Sequence, residues 1–388
     1  MESLLLFWQT TGLAQLDWGS LPMMGVGLLL LAVAIHREFE PVFVFACGFA
    51  ILLANLPGSS LAEPGGVLYL LYELGVGTGL LPGLLCLGLG FLADFGPLLA
   101  VPALLWVGVA AQVGIFVALW LALLLHAGLG VPFGLTDAAA VGMIGGANLP
   151  GLVFFADRLA PDLLGRMVMV LYVGMALLPV IQAPIVRLLT TERERQVIMA
   201  PMRPVSHQER MWFPVVMMLP CLLLLPTIAP LLGWLAFGNL LRESGVVARF
   251  AVGSHATVQA RLWSSVTLLL GLAVGGRVTA ERFFSLETVA MFCLGMIALA
   301  VGSAAGLLVG KWLHRRDGQV NPLVGVAGLA LVPLAARLAN RWGAEAAPDP
   351  GRMLQHSSLL TAAMAANLAG VIGSIVVAGT LLATFGVK

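Results

Sequence analysis

Few residues in this 388-residue chain can do chemistry, and most of them are uncharged. Asn148 stands in Gly142-Met143-Ile144-Gly145-Gly146-Ala147-Asn148-Leu149-Pro150-Gly151, and Asn367 in Ala366-Asn367-Leu368-Ala369-Gly370-Val371-Ile372-Gly373-Ser374. Both runs set Ala-Asn-Leu beside a glycine cluster. An amide offers one carbonyl oxygen and two N–H donors. Where glycine or proline breaks an apolar helix, backbone carbonyls lose their helical partners, and a hard cation prefers such oxygens. Asn148, Asn367 and Ser374 are therefore candidate cation ligands. Asp94, in Leu92-Ala93-Asp94-Phe95-Gly96-Pro97, has two roles open. It is a carboxylate facing a water-filled cavity, carrying a proton or cation, or it caps the helix that follows. Arg337 either snorkels to the interface or meets a carboxylate of substrate or protein. Asp137 reads as a helix cap. His126, His255 and His356 have no partner at metal-ligand spacing.

The elements that must position these residues are membrane helices. Hydrophobic residues make up 60% of the chain, charged residues 10%, and mean hydropathy is +1.00. Soluble proteins carry about 25% charged residues, so a soluble enzyme is excluded. A net charge of +1 leaves no basic field for nucleic acid. Apolar runs predict spans near 20–36, 41–56, 76–93, 100–128, 138–156, 166–189, 212–236, 259–275, 286–312, 320–340 and 357–385. That amounts to about 9–11 crossings of an all-α polytopic fold. The 46 glycines and 22 prolines point to close packing and discontinuous helices. Arg193, Arg195, Arg203 and Arg210 crowd the polar stretch 191–210, so the positive-inside rule makes it a cytoplasmic linker. Arg37 puts the His36–Glu40 loop on the same side. The Leu56–Glu73 loop has no Lys or Arg and falls outside. The linker divides the chain into membrane halves 1–190 and 211–388. Each half is expected to hold a broken helix, near 142–151 and near 365–374. Paired interruptions of this kind mark transporters built from two inverted repeats. The rival reading is close helix packing through small residues.

At these motifs the chain resembles the beta subunits of the sodium-ion-translocating biotin-dependent decarboxylases, the oxaloacetate, methylmalonyl-CoA and glutaconyl-CoA decarboxylase group. The resemblance runs from about Gly25 to Gly379. It rests on Phe39-Glu40-Pro41, Leu52 to Gly58, Asp94 to Ala100, Ala111 to Phe116, Ile144 to Ala147, Leu188 to Thr191, Phe237 to Val247, Asn321 to Gly325, Pro333 to Asn340 and Asn367 to Ser374. It implies a membrane subunit that decarboxylates carboxybiotin and exports Na⁺ while a proton is consumed. The implied partners are a biotin-carrying carboxyltransferase (alpha) subunit and a small gamma- or delta-type membrane subunit, with homo-oligomerisation left open. Carboxybiotin would come from that partner, because the chain lacks the Met-Lys-Met attachment motif. The implied location is the inner (plasma) membrane.

The chain departs from the family pattern at the residues that matter most. The family motif Gly-Gly-Ala-Asp-Gly-Pro carries an aspartate held to bind sodium and exchange a proton; here that position is Asn148. A tyrosine expected two residues after Tyr172 is Gly174. A family serine before Pro333 is Ala330. The stretch Met-His-Ala-Met-Gly-Pro-Asn reads Thr361-Ala362-Ala363-Met364-Ala365-Ala366-Asn367. Asp94, Arg337, Asn367, Gly370 and Ser374 are kept. An amide cannot titrate, so the simplest exchange of Na⁺ for H⁺ at one site is lost. Two readings stand. In one the chain is a pump subunit using Asn148, Asn367 and Ser374, with Asp94 as the nearby acid and Arg337 meeting carboxybiotin. In the other it is a relative uncoupled from decarboxylation, acting as a small-solute carrier or membrane anchor.

Overall fold

The computed structural model describes residues 7–16, 18–36, 41–199, 201–246, 255–331, 333–346 and 358–386. Arg37, Phe39, Glu40, Val247 and His356 lie outside the described residues. Among the described residues the regular structure is helical throughout. We label the α-helices of six residues or more: α1 Ser20–His36, α2 Pro41–Ala54, α3 Val67–Tyr72, α4 Leu80–Leu92, α5 Leu105–Ala111, α6 Val113–Leu129, α7 Leu135–Gly142 and α8 Leu149–Leu159. Beyond them come α9 Leu164–Leu189, α10 His207–Leu224, α11 Trp234–Glu243, α12 His255–Gly275, α13 Leu286–Asp317, α14 Leu334–Ala346 and α15 Ser358–Phe385.

Four helical stretches are long and apolar enough to cross a membrane unaided: Pro102–Leu129, Leu164–Leu189, Leu286–Asp317 and Leu359–Phe385. A fifth arises if Val67–Gly77 and Leu80–Leu92, bent by 58°, count as one span. The remaining apolar helices, among them α1 and α2, are shorter than a bilayer requires of a straight, untilted span. The chain is thus an all-α polytopic membrane protein. Large apolar side chains such as Trp18, Leu188 and Leu223 are left on its outside.

The stretch near 365–374 is not broken, contrary to the sequence-based expectation. It lies inside the continuous 28-residue α15. No proline interrupts Ser358–Phe385, and its glycines serve close packing instead. A Cβ on Gly370 would stand 2.0 Å from the Gly328 carbonyl oxygen, and one on Gly108 would stand 2.4 Å from the Ala369 carbonyl carbon. Backbones touch there, which only glycine permits. The second discontinuity lies instead at 322–331. Pro322–Gly328 form a 3₁₀ helix, Leu329 turns extended, and α14 begins at Leu334. Pro322 suits a helix start, and Asn321 caps it by accepting from the Leu323 N–H at 2.9 Å. The segment is wholly buried, lying against glycines four apart on α13. A Cβ on Gly306 would meet the Gly325 oxygen at 2.3 Å, and one on Gly310 the Pro322 oxygen at 2.6 Å.

The first discontinuity does fall within 142–151. α7 stops at Gly142, and Met143–Gly146 tighten into a 3₁₀ turn. Ala147 is left-handed at φ 53°, the lone non-glycine residue with positive φ among those described. Asn148 is extended, and α8 opens with Pro150 in its first turn. Two glycines weaken the helix, and a proline fits best in the first turn of the one that follows. α15 is the straight member against which these irregular segments pack: α5, α8, both 3₁₀ segments and α14 all contact it.

Candidate cation site

Asn148 and Ser374 meet, although they lie in opposite halves of the chain. The Asn148 amide donates to the Ser374 hydroxyl at 2.9 Å, and Ser374 donates in turn to its own helix at the Val371 carbonyl, 2.8 Å away. Both side chains are buried. With the amide N–H₂ spent on Ser374, the Asn148 Oδ1 is left without a hydrogen-bond partner.

Asn367 sits seven residues earlier on α15, in the arc of the second break. Its amide nitrogen donates to the carbonyls of Ala327 (3.0 Å), Leu329 and Leu331 (3.4 Å). The carbonyls freed by that break are therefore gathered by one side chain. The oxygen left unpartnered is Asn367 Oδ1. Asn367 is buried completely, so its N–H₂ also satisfies acceptors that would otherwise be costly.

A small cavity of about 40 Å³ joins the two breaks. Ala147, Asn148, Leu149 and Pro150 line it from the first, Ala330 and Leu331 from the second. Thr267 and Trp263 of α12 contribute the opposite wall. A water needs roughly 10–15 Å³ by this measure, so the space suits an ion with one or two waters. Thr267 is 2% exposed, and its hydroxyl, like Asn148 Oδ1, has no hydrogen-bond partner. A threonine inside a helix usually bonds back to the preceding turn, so an unpaired one is a signal. Sequence reasoning missed Thr267 because nothing in the run Leu262–Gly275 distinguishes it from an ordinary helix threonine. Buried oxygens lacking donors suit a hard cation. No carboxylate lines the cavity, and Tyr172 is the one lining residue able to titrate.

The other two sequence candidates lie apart from this cavity. Asp94 is at the end of α4, where its Oδ1 accepts from the Gly96 N–H at 2.9 Å. Its Oδ2 lies 3.7 Å from the Arg242 guanidinium. It thus bonds the first N–H of the turn that follows and faces a cation. Arg242, which also donates to the Ala93 carbonyl, leads on to Glu243, and Arg210 and His207 face the same carboxylate. Arg337, in the first turn of α14, is exposed and carries no side-chain partner among the described residues. Asp137, expected to cap a helix, accepts from the Gly134 N–H at 2.9 Å at the start of α7.

Broken helices meeting at a small cavity, mostly apolar with Asn148 and Thr267 in its lining, are an arrangement found in transport-type membrane proteins. Residues 19–385 match the family described as Na⁺-transporting oxaloacetate decarboxylase beta subunit, and the chain belongs to it. It is 41% identical to the glutaconyl-CoA decarboxylase subunit beta of Acidaminococcus fermentans over 98% of this chain and 97% of that one. It is 42% identical to the methylmalonyl-CoA decarboxylase subunit beta of Veillonella parvula over 96% and 95%. Against the oxaloacetate decarboxylase beta chain 2 of Salmonella typhi it is 40% identical over 98% and 99%.

Proposed function

We propose that this chain is the membrane subunit of a sodium-pumping, biotin-dependent decarboxylase and that Na⁺ passes through the cavity at Asn148. The observation that carries the site is the pair of buried, unpartnered oxygens, Asn148 Oδ1 and Thr267 Oγ1, where the two breaks meet. Asn148 and Thr267 replace part of the ion's hydration. Asn367 holds the second break in shape, and Ser374 orients Asn148. Arg337, exposed and without a side-chain partner among the described residues, meets the carboxylate of carboxybiotin presented by a soluble alpha subunit. A small gamma- or delta-type subunit completes the complex in the inner membrane, and linker 191–210 faces the cytoplasm. Relatives named for three different substrates are similar to this chain to nearly the same degree. The keto acid or acyl-CoA is therefore chosen by the soluble partner. The two membrane halves are inverted repeats whose discontinuities, at 143–148 and 322–331, face each other.

The test is ²²Na⁺ uptake into inverted vesicles holding the chain and its co-encoded partners, driven by the complex's decarboxylation substrate. Substrate-dependent uptake that Asn367→Ala abolishes supports the reading. Decarboxylation without uptake in the parent, with uptake restored by Asn148→Asp, means that coupling was lost at this residue. No uptake and no decarboxylation in either sinks the pump reading and leaves a carrier or an anchor.

A further inference from the structure

Gln112 is the one residue at the joint between α5 and α6, and its side chain is 4% exposed. Its amide nitrogen donates to the Gly108 carbonyl of its own helix at 2.9 Å and to the Gly370 carbonyl of α15 at 3.2 Å. Its Oε1 has no partner. The side chain lies flat on α15: a Cβ built on Gly373 would stand 3.2 Å from Gln112 Cγ.

The places at which Asn367, Gln112 and Asn148 meet α15 follow a helical rhythm. Asn367 belongs to the helix, Gln112 bonds Gly370, and Asn148 bonds Ser374. Positions 367, 370 and 374 lie three and four apart, so they share one face of α15. At 1.5 Å per residue the three are strung over about 10 Å, or two turns. In each case neighbouring acceptors claim the N–H₂ group, which settles which end of the amide is nitrogen. What remains in each case is a buried carbonyl oxygen. A row of acceptors without donors repels anions and takes a cation or the protons of water.

We propose that Gln112 is an intermediate cation ligand, giving a monovalent cation a second stopping place between the cavity at Asn148 and the break held by Asn367. The inference rests on the sodium reading of that cavity and extends it by one site. The file is electrically neutral, so its affinity is set by oxygens alone.

The experiment is equilibrium binding of ²²Na⁺ to the purified full-length chain in lipid nanodiscs, at pH 6 and at pH 9. Gln112→Glu is the informative variant because it keeps the shape and supplies a charge. It is expected to bind Na⁺ about tenfold more tightly than the parent at pH 9, and to lose most of that gain at pH 6 as the buried carboxyl protonates. A purely structural glutamine would not make Na⁺ affinity pH-dependent. A folded Gln112→Glu chain whose Na⁺ affinity equals the parent's at both pH values overturns the proposal and leaves Gln112 a helix-joint residue with bound water. If Gln112→Glu does not fold, Gln112→Asn decides. It keeps the amide and withdraws the oxygen by one methylene, so Na⁺ affinity should drop several-fold, and an unchanged affinity overturns the proposal. A parent chain that binds no ²²Na⁺ brings down the sodium reading and this site with it, an outcome distinct from a binding parent with an indifferent variant.

Discussion

Thr267 offers a sharp test at the scale of single residues, because its hydroxyl has no hydrogen-bond partner among the described residues. With no partner to lose, Thr267→Val should change stability by no more than about 1 kcal/mol. If the hydroxyl ligates sodium, the same variant lowers Na⁺ affinity about tenfold. Thermal unfolding and ²²Na⁺ titration on one preparation separate the two, and an unchanged Na⁺ dependence removes Thr267 from the site. Asn148→Asp makes a complementary case. Burial raises a carboxyl pKa and a bound cation lowers it. The variant's Na⁺ affinity should therefore climb with pH, while the parent's stays flat, since its described lining residues include no carboxylate or imidazole. A parent affinity that climbs between about pH 6 and 8 would place an unseen carboxyl at the ion. Asn148, Asn367 and Ser374 were legible in the sequence as polar groups among glycines. Asp94 and Arg337 were legible as charges beside apolar runs, but their places next to Arg242 and on an exposed first turn depend on neighbours that no spacing announces.

At the scale of elements, the glycines decide how closely the broken segments approach their neighbours. Gly370→Ala would push a methyl to 2.0 Å from the Gly328 oxygen and displace the second break, at a cost of about 3 kcal/mol. Gly25→Ala, with nothing within 4 Å on the outer side of α1, should be neutral or stabilising by up to about 1 kcal/mol. Unfolding temperatures of the two variants should fall on opposite sides of the parent's or, for Gly25→Ala, on it; equal losses would refute the packing account. The polar linker 191–210 has its own titration. Glu209 accepts from the Ser206 backbone and hydroxyl, which hold its carboxyl below the usual range. At Glu194 burial works upward, but the Thr191 N–H and the Lys311 ammonium outweigh it and the carboxyl is again held low. A lowered folded pKa means that each cap is fully present above the ordinary carboxylate value and is lost as pH falls through the folded one. Hydrogen exchange at the Glu194 and Glu209 amides should be constant above about pH 5 and quicken, after correction for intrinsic rates, in more acid solution. Loss of protection already at neutral pH would contradict the capping geometry.

For the molecule as a whole, the orientation is open to direct test. In a cysteine-free background, Arg193→Cys should react with a membrane-impermeant maleimide only in inside-out vesicles, and Ser60→Cys only in right-side-out cells. The reverse pattern would invert the pump. The class, the apolar helices, the polar linker and the first break could all be read from composition and periodicity, because hydropathy and proline act locally. The family, too, was legible from motifs in order. The second break was not. Gly370 and Gly373 look like helix breakers in sequence, yet α15 runs straight through them, because a glycine in a helix costs only about 1 kcal/mol and close packing returns it. The true break at 322–331 was hidden inside a run expected to span. Asn55 shows the same limit: its amide ties the end of α2 to Val278 and Ala280, more than two hundred residues away. The sequence alone determined that this is a polytopic membrane protein with amides set among its glycines. Only tertiary structure decided which oxygens stay unpaired, because that depends on which distant donors and acceptors each amide meets when the two halves close on α15.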